Sequence, residues 1–496
     1  MFASVLRRFS FIGWFRYWLL DRNYTAFLHL SLVGICLAGT VVMALLSRNL
    51  NPAVPTTIIV TFLIVLLMGS VVVFLVIYRN LELTAIFVFM LSMLVHAGIG
   101  TGTGTSLTFT FLTLLLWAFV WLFRKTVVAK KFDLRPSFAN RPALFFMVAV
   151  VIAFFWSGAF PEARASYLFD EKATVRLMTA IVLIISPVTY ILFSNLIRTE
   201  RTFKILVWWL ISFGLVIGLM SIVGRGGIIP IFNAKGQFAT WFVALALGQL
   251  FFNTSLPNYI RFALVVGIGA WAMITLGLGL SWLSGWLPMV ISGGLLLVIF
   301  SRKLATVAMI GFLILAAFNT SFISARFSDE QSVSGNTRSI AWARALDVVG
   351  KHFLFGAGPA GYEYYFQAYG YYDNAVGTAD LSHNNYIDIV AQTGVVGFTL
   401  WIVMWAAQGL MIWKLFRKRI DNPFLTALKY SLVACYPAIL ISMMLGDWVT
   451  PFPYTQTLAG IDYTIWSWML SGMAIALYYF VPTPPRDYSV SSLQLL

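Results

Sequence analysis

An all-α, polytopic bundle of membrane-spanning helices is the fold predicted by this chain of 496 residues, for three reasons. Hydrophobic residues make up 60% of it and charged residues only 10%, giving a mean hydropathy of +0.87. The apolar residues fall in repeated runs of about twenty, long enough for a helix to cross the ~30 Å of bilayer hydrocarbon. Those runs are continuous rather than alternating. Lipid offers backbone groups no hydrogen-bond partner, so only helices or closed barrels can span it, and unbroken runs select helices.

Fourteen spans are expected, near 25–47, 56–78, 82–98, 105–123, 142–158, 173–197, 204–222, 237–253, 262–280, 286–300, 304–320, 394–416, 425–446 and 461–481, with no repeat between the halves. Lys and Arg accumulate on the cytoplasmic side of a membrane. Here Arg7, Arg8, Arg16 and Arg22 precede the first span, and Arg124, Lys125, Lys130, Lys131, Arg135 and Arg141 follow the fourth. Arg198, Arg201 and Lys204 follow the sixth, Arg302 and Lys303 the tenth, and Lys414, Arg417, Lys418 and Arg419 the twelfth. Alternation puts all of these on one face. The expected plan is therefore a cytoplasmic segment 1–24, spans 1–11 within 25–320, an extracytoplasmic loop 321–393, spans 12–14 within 394–481 and a cytoplasmic tail 482–496.

The net charge of +15 needs no nucleic-acid partner, because the cations are dispersed as topology determinants and contacts for anionic headgroups. Cys36 and Cys435 both fall inside spans, so neither a disulfide framework nor a CxxC metal site is on offer. The first apolar run is too long for a signal-peptide core and reads as a retained helix.

Most outer loops are chemically quiet. Gly100-Thr101-Gly102-Thr103-Gly104-Thr105 shares only its glycine content with a phosphate-cradling loop, lacking the lysine and the preceding strand, and reads as a flexible turn. Glu162, Arg164, Asp170, Glu171 and Lys172 read as a mixed, solvated surface. In the loop after the seventh span, Arg225 lies between Gly224 and Gly226-Gly227 at the membrane edge, with Lys235 further on. An external arginine runs against the inside-positive bias. It reads either as a side chain snorkelling to headgroups or as a ligand-binding group.

The long loop carries its own order. Ser334-Gly335-Asn336-Thr337 supplies capping residues for a helix that runs from Arg338 to Gly350, with Trp342, Leu346 and Val349 at helical spacing. Phe355-Gly356-Ala357-Gly358-Pro359-Ala360-Gly361 breaks it. Tyr362, Tyr364, Tyr365, Tyr369, Tyr371 and Tyr372 follow, suited to a membrane interface, the commoner use, or to the apolar faces of sugars. Ser382 is the expected N-cap of a short helix opened by His383 and leading to Gly394. A helix N-terminus and nearby arginines both disfavour imidazolium, leaving His383 neutral and able to accept a proton. A lone external histidine is nonetheless more often structural than catalytic.

Other candidates weigh less. His29 and His96 lie in or at the end of spans, and His352 adjoins Phe353-Leu354-Phe355, so all three read as packing residues. Asp329-Glu330 is a poor metal clamp, and Asp373 and Asp380 are too far away to improve it. Asp447 and Asp462 flank the last outer loop, either orienting a base or facing water.

Ser382-His383-Asn384-Asn385-Tyr386-Ile387-Asp388, continuing to Gly394-Val395-Val396-Gly397, resembles the histidine motif of the bacterial O-antigen ligase and O-antigen polymerase superfamily: a His-Asn pair, an apolar residue soon after, then Gly-x-x-Gly leading into a membrane helix. Asn336-Thr337-Arg338 with Trp342, followed by Phe355-Gly356-Ala357-Gly358, is similar to its arginine-tryptophan helix and glycine turn. Arg225 through Asn233-Ala234 and Phe238 is similar to its preceding arginine loop. Where many members carry Ser-Arg-Gly at the outer edge of the next span, this chain has Ser281-Trp282-Leu283-Ser284-Gly285-Trp286, so that role is absent or falls to Lys235 or Arg344.

The resemblance implies a GT-C-like glycosyltransferase of the bacterial inner membrane, working without metal or other cofactor. Its donor would be a glycan on undecaprenyl diphosphate and its acceptor a second glycan or lipid A-core. Membrane lipids would surround it, with a chain-length regulator or a flippase as accessory partner. Arg225 and Arg338 are assigned to the diphosphate, with Lys235 and Arg344 as further cations, because fixed guanidinium forks hold such oxygens bidentately as leaving-group charge grows. His383 would take the proton from the attacking hydroxyl or hold that hydroxyl in line, supported by Ser382 and Asn384. Direct displacement predicts inversion at the anomeric carbon. The leading expectation is a glycan polymerase. The rivals are a ligase acting on lipid A-core or protein and, more distantly, a lipid-linked glycan transporter, whose ionisable groups should cluster at the membrane midplane.

Overall fold

The computed structural model describes residues 81–94, 98–100, 106–166, 173–223, 237–278, 283–321, 324–325, 336–371, 382–451 and 458–482. The expected spans 25–47 and 56–78 lie outside these residues, as do Arg225, Lys235, His29, His96, Cys36 and the Asp329-Glu330 pair. The other twelve expected spans coincide with helices: α1 Leu81–Leu94, α2 Phe109–Phe123, α3 Asn140–Ala159, α4 Ala173–Leu196, α5 Glu200–Ile222, α6 Phe238–Phe252, α7 Asn258–Ala272, α8 Leu283–Phe300, α9 Arg302–Phe318, α12 Asn385–Arg417, α13 Pro423–Leu445 and α14 Ile461–Phe480. Between α9 and α12 lie α10, Asn336–Lys351, and the short α11, Tyr362–Ala368. Eight of the helices are long and apolar enough to cross a membrane.

Local chemistry sets the boundaries. α5 starts at Glu200, earlier than hydropathy suggests, because the Thr199 side chain accepts from the Thr202 N–H and Glu82 Oε1 accepts from the N–H groups of Arg198 and Thr199. α13 opens with Pro423 behind an Asn422 cap. One feature escaped the hydropathy pattern: β1 (Gly98–Gly100) pairs antiparallel with β2 (Ser106–Thr108) on either side of the glycine-threonine turn.

α14 is buried along most of its length, against α4. A Cβ on Gly472 would stand 2.6 Å from the Tyr190 carbonyl oxygen, the close backbone approach that small residues permit between membrane helices. Trp466 and Trp468 of α14 are fully buried, as is Trp401 of α12, whose ring meets Trp468. α9 is the opposite case, exposing Leu304, Val307, Phe312 and Phe318 as a lipid-facing helix does.

The bundle has two chemically distinct ends. At the basic end, arginines and lysines close helix C-termini. Arg135 Nη1 donates to the carbonyls of Ser194 (2.7 Å) and Ile197 (2.9 Å), and Lys418 donates to those of Tyr478 and Val481. At the other end, α10, α11 and the start of α12 dock on the end of α3. Trp156 of α3 meets Phe355 at 5.2 Å between ring centroids.

Candidate active site at the long-loop end

α10 begins at Asn336, two residues ahead of the expected start at Arg338, so Asn336 and Thr337 lie within it, and its core-facing stripe is Ala341, Ala345 and Val348; Leu346 is 49% exposed and Trp342 half-buried. The small alanines let α11 approach closely. As a result Tyr362, Tyr364, Tyr365 and Phe366 form a separate core with Ala345, Val348, Ala357 and Ala391. These tyrosines therefore face neither headgroups nor sugars. They pack against each other. Tyr369 OH donates to Glu162 Oε1 at 2.7 Å, and His352, ring-on-ring with Tyr365 at 4.1 Å, reaches the same oxygen at 3.3 Å.

Two glycine turns interlock beneath this core. Gly356 has φ +68° and Gly394 φ +64°, conformations that side-chain-bearing residues rarely adopt. A Cβ on Gly394 would stand 2.3 Å from the Leu354 oxygen and 2.5 Å from the Gly356 nitrogen. Gly394 kinks α12 and takes the following N–H groups away from helical acceptors. Val395 N instead donates to Phe353 O (2.9 Å) and Val396 N to Leu354 O (3.3 Å), while Ala357 N returns a bond to Ala391 O (2.9 Å). The orphan backbone groups of each turn are satisfied by the other.

This lock brings α10 to the histidine segment. Trp342 Nε1 donates to the Ser382 carbonyl across forty residues of chain. Ser382 Oγ accepts from Asn384 N (3.2 Å) and donates to Asn384 O (3.0 Å), clasping the backbone around His383. The N-cap is Asn384, whose Oδ1 accepts from Tyr386 N (2.9 Å) and Ile387 N (3.4 Å), and not Ser382. His383 therefore precedes the helix with φ +47°. Non-glycine residues held at positive φ are typically strained by ~1–3 kcal/mol and cluster at functional sites. Asn385 anchors the far side: its Nδ2 donates to Thr450 O (2.7 Å), and its Oδ1 accepts from Val449 N and Thr450 N.

Electrostatics link the two principal candidates. Partial burial first, and then the positive charge of Arg338, pushes His383 below the ordinary histidine range. Arg338 and Trp342 lie one turn apart on the same face of α10. Arg344 sits about 200° round the helix from Trp342. Its guanidinium carbon is 6.0 Å from the Tyr371 ring centroid. Arg225 and Lys235 lie outside the described residues.

Several groups here were missed or misread in the sequence. Asp447 and Asp462 do not face water: they are 5% and 0% exposed. Asp447 accepts from Tyr463 OH at 3.1 Å, and burial pushes its carboxyl up to about 6. Asp388, at 0% exposure, accepts from Gln392 Nε2 at 2.7 Å. The buried Tyr362 hydroxyl lies against both Ser382 and Asp388, though neither it nor Asp388 Oδ1 closes a hydrogen bond of good geometry. Arg176 near the start of α4 is 5% exposed and donates to Phe154 O (2.9 Å) and Ser157 Oγ (2.7 Å) at the end of α3. The signal for Arg176 was the one that singled out Arg225, an arginine at the sparsely basic end of a span.

Trp342→Phe keeps the ring and removes the N–H. A neutral hydrogen bond contributes ~0.5–1.5 kcal/mol, so any reaction His383 performs should slow by up to about tenfold with little change in melting temperature. Steady-state rates and thermal unfolding of the purified variant measure this, and an unchanged rate would remove the tether from the argument.

The arrangement can hold an anion at a guanidinium and take a proton at an uncharged imidazole beside it. No curated protein matches the chain. Residues 268–402, from within α7 through α10 and the His383 segment into α12, match a family model described as O-antigen ligase, which supports the O-antigen ligase and polymerase superfamily resemblance.

Proposed function

We propose that this membrane enzyme of the O-antigen ligase/polymerase type transfers a glycan from undecaprenyl diphosphate to an acceptor hydroxyl, at the long-loop end of the bundle on the extracytoplasmic face of a bacterial inner membrane. The observation that carries the reading is Arg338 beside a His383 held neutral and strained. The acceptor oxygen forms a bond to the anomeric carbon as the bond from that carbon to the diphosphate breaks. The hydroxyl proton passes to His383, and the lipid diphosphate leaves with its added charge on Arg338 and Arg225. One displacement inverts the anomeric centre. Guanidinium forks supply the charge stabilisation, and no metal is part of the scheme.

The preferred acceptor is another lipid-linked repeat, which makes the protein a polymerase. The family model's description favours a second reading, ligation of a finished chain to lipid A-core. Lipopolysaccharide from a deletion strain separates them. Core capped by a single repeat identifies a lost polymerase, whereas bare core with free lipid-linked polymer identifies a lost ligase. Purified protein given lipid-linked donor and acceptor in detergent with EDTA should form product with inverted linkage. No product under any condition would favour a transporter.

Arg338→Lys tests the clamp. An ammonium keeps the charge but cannot reproduce the two-pronged geometry, so transfer should fall by on the order of 10²–10³, as when a preorganised donor is lost. Near-normal turnover in the same assay would reduce Arg338 to diffuse charge.

A further inference from the structure

At the basic end, a cavity of about 830 Å³ opens between the start of α3 and the ends of α12 and α14. Its lining joins two cations, Arg141 and Lys414, to an apolar and aromatic wall that includes Phe138, Met411 and Tyr478. Several neighbouring cations are already engaged by the protein. Arg135 and Lys418 bind helix-end carbonyls, Lys125 pairs with Asp133 and Lys204 with Glu200. No ion pair among the described residues includes Arg141 or Lys414, and Lys414 Nζ rests 4.2 Å from the Phe138 ring centroid.

Two further features point to a ligand, one to its anion and one to a hydrogen-bond donor on its headgroup. α3 starts at this cavity with Ala139 in the N-cap position; Ser137 accepts from the N–H groups of Ala139 and Asn140, but no acidic residue in the first turn offsets the positive end of the helix dipole. Asn140, only 8% exposed, lines the same cavity. Its Nδ2 donates to the Arg135 carbonyl, and its Oδ1, which has no partner among the described residues, is an acceptor that calls for a headgroup O–H or N–H donor and not for the phosphate itself. Each cation also heads an exposed apolar stripe on its own helix. Leu144, Phe145 and Val148 follow Arg141 along α3, and Leu410 lies one turn before Lys414 on α12.

We propose that this cavity is a binding site for an anionic glycerophospholipid of the leaflet at the basic end. Its phosphate lies between Arg141, Lys414 and the start of α3, and its acyl chains follow the two stripes. The basic end meets the polar surface of a membrane, where a juxtamembrane cation gains from an anionic headgroup. Inorganic phosphate offers the same anion without the chains, so the two sources can be told apart.

The test uses the purified full-length protein in detergent, titrated with phosphatidylglycerol, phosphatidylcholine or inorganic phosphate and read by native mass spectrometry and thermal unfolding. Phosphatidylglycerol is expected to bind and stabilise, and phosphatidylcholine and inorganic phosphate to do so far less. The Arg141→Gln/Lys414→Gln pair should bind phosphatidylglycerol at least about tenfold more weakly, while Arg141→Lys/Lys414→Arg should stay within about threefold of the wild type. Should the glutamine pair fail to fold, Lys414→Gln alone carries the test. Unchanged phosphatidylglycerol binding in the glutamine variant overturns the site. Equal loss in both pairs overturns the role of charge. Phosphate binding as tightly as the lipid overturns the lipid assignment in favour of a free-anion site.

Discussion

His383→Ala is expected to leave the protein in the membrane at its normal level and to lower glycan transfer by on the order of 10²–10⁴, the contribution of a positioned general base. The side chain lies at a docked surface outside the helices, so its removal leaves the spans untouched. The pH profile makes the expectation sharper. Only uncharged imidazole accepts a proton, and burial, followed by the charge of Arg338, holds His383 below the ordinary histidine range. Transfer should therefore persist as pH falls through that range and decline only below it. Arg338→Gln removes the second cause, so the acid limb of its residual activity should move up. Arg338→Lys, which keeps the charge, should leave the limb in place. The measurement is kcat/KM against pH for the wild type and the three variants. An acid limb of the same shape in His383→Ala would take the histidine out of the chemistry.

Gly394→Ala is expected to be severely damaging. Gly394 has φ +64° and ψ −171°, a region open almost only to glycine, and the added carbon would meet the Leu354 oxygen at 2.3 Å and the Gly356 nitrogen at 2.5 Å. Backbone atoms cannot swing aside as a flexible side-chain end can. The strain of ~1–3 kcal/mol and the loss of three hydrogen bonds between the turns both fall on one joint. The expected result is a protein that still extracts as a monodisperse species, cleaves readily within 336–371 under limited proteolysis, and has lost transfer. A loop as protease-resistant as the wild type, with normal turnover, would mean that the joint tolerates a side chain.

The helices were legible because an unbroken run of about twenty apolar residues forms a helix in lipid, and α10 because its residues keep helical spacing, to within two residues at its start. The site was legible in its parts and not in its assembly. Nothing in the spacing shows that Trp342 reaches the Ser382 carbonyl, since that bond depends on two glycine turns meeting. Ser382 and Asn384 are equally good caps by residue type, and only the backbone at His383 decides between them. Tyr362, Tyr364 and Tyr365 were misassigned for a different reason. Their partners are Ala345, Ala357 and Ala391, whose small side chains give a weak hydropathy signal yet permit the closest packing. Arg176 was hidden because one cation barely changes the mean of an apolar window.

The reciprocal carbonyl bonds at Gly356 and Gly394 also fix a chronology. During synthesis the segment carrying Phe353 and Leu354 emerges before the residues whose N–H groups it must receive. Its carbonyls therefore wait in water until the stretch beyond Gly394 has been threaded into lipid. A nascent chain stalled short of Gly394 holds both the arginine and the histidine but lacks the two bonds that the N–H groups of Val395 and Val396 bring to the joint. The joint therefore closes late in biogenesis, once the chain beyond Gly394 has been made.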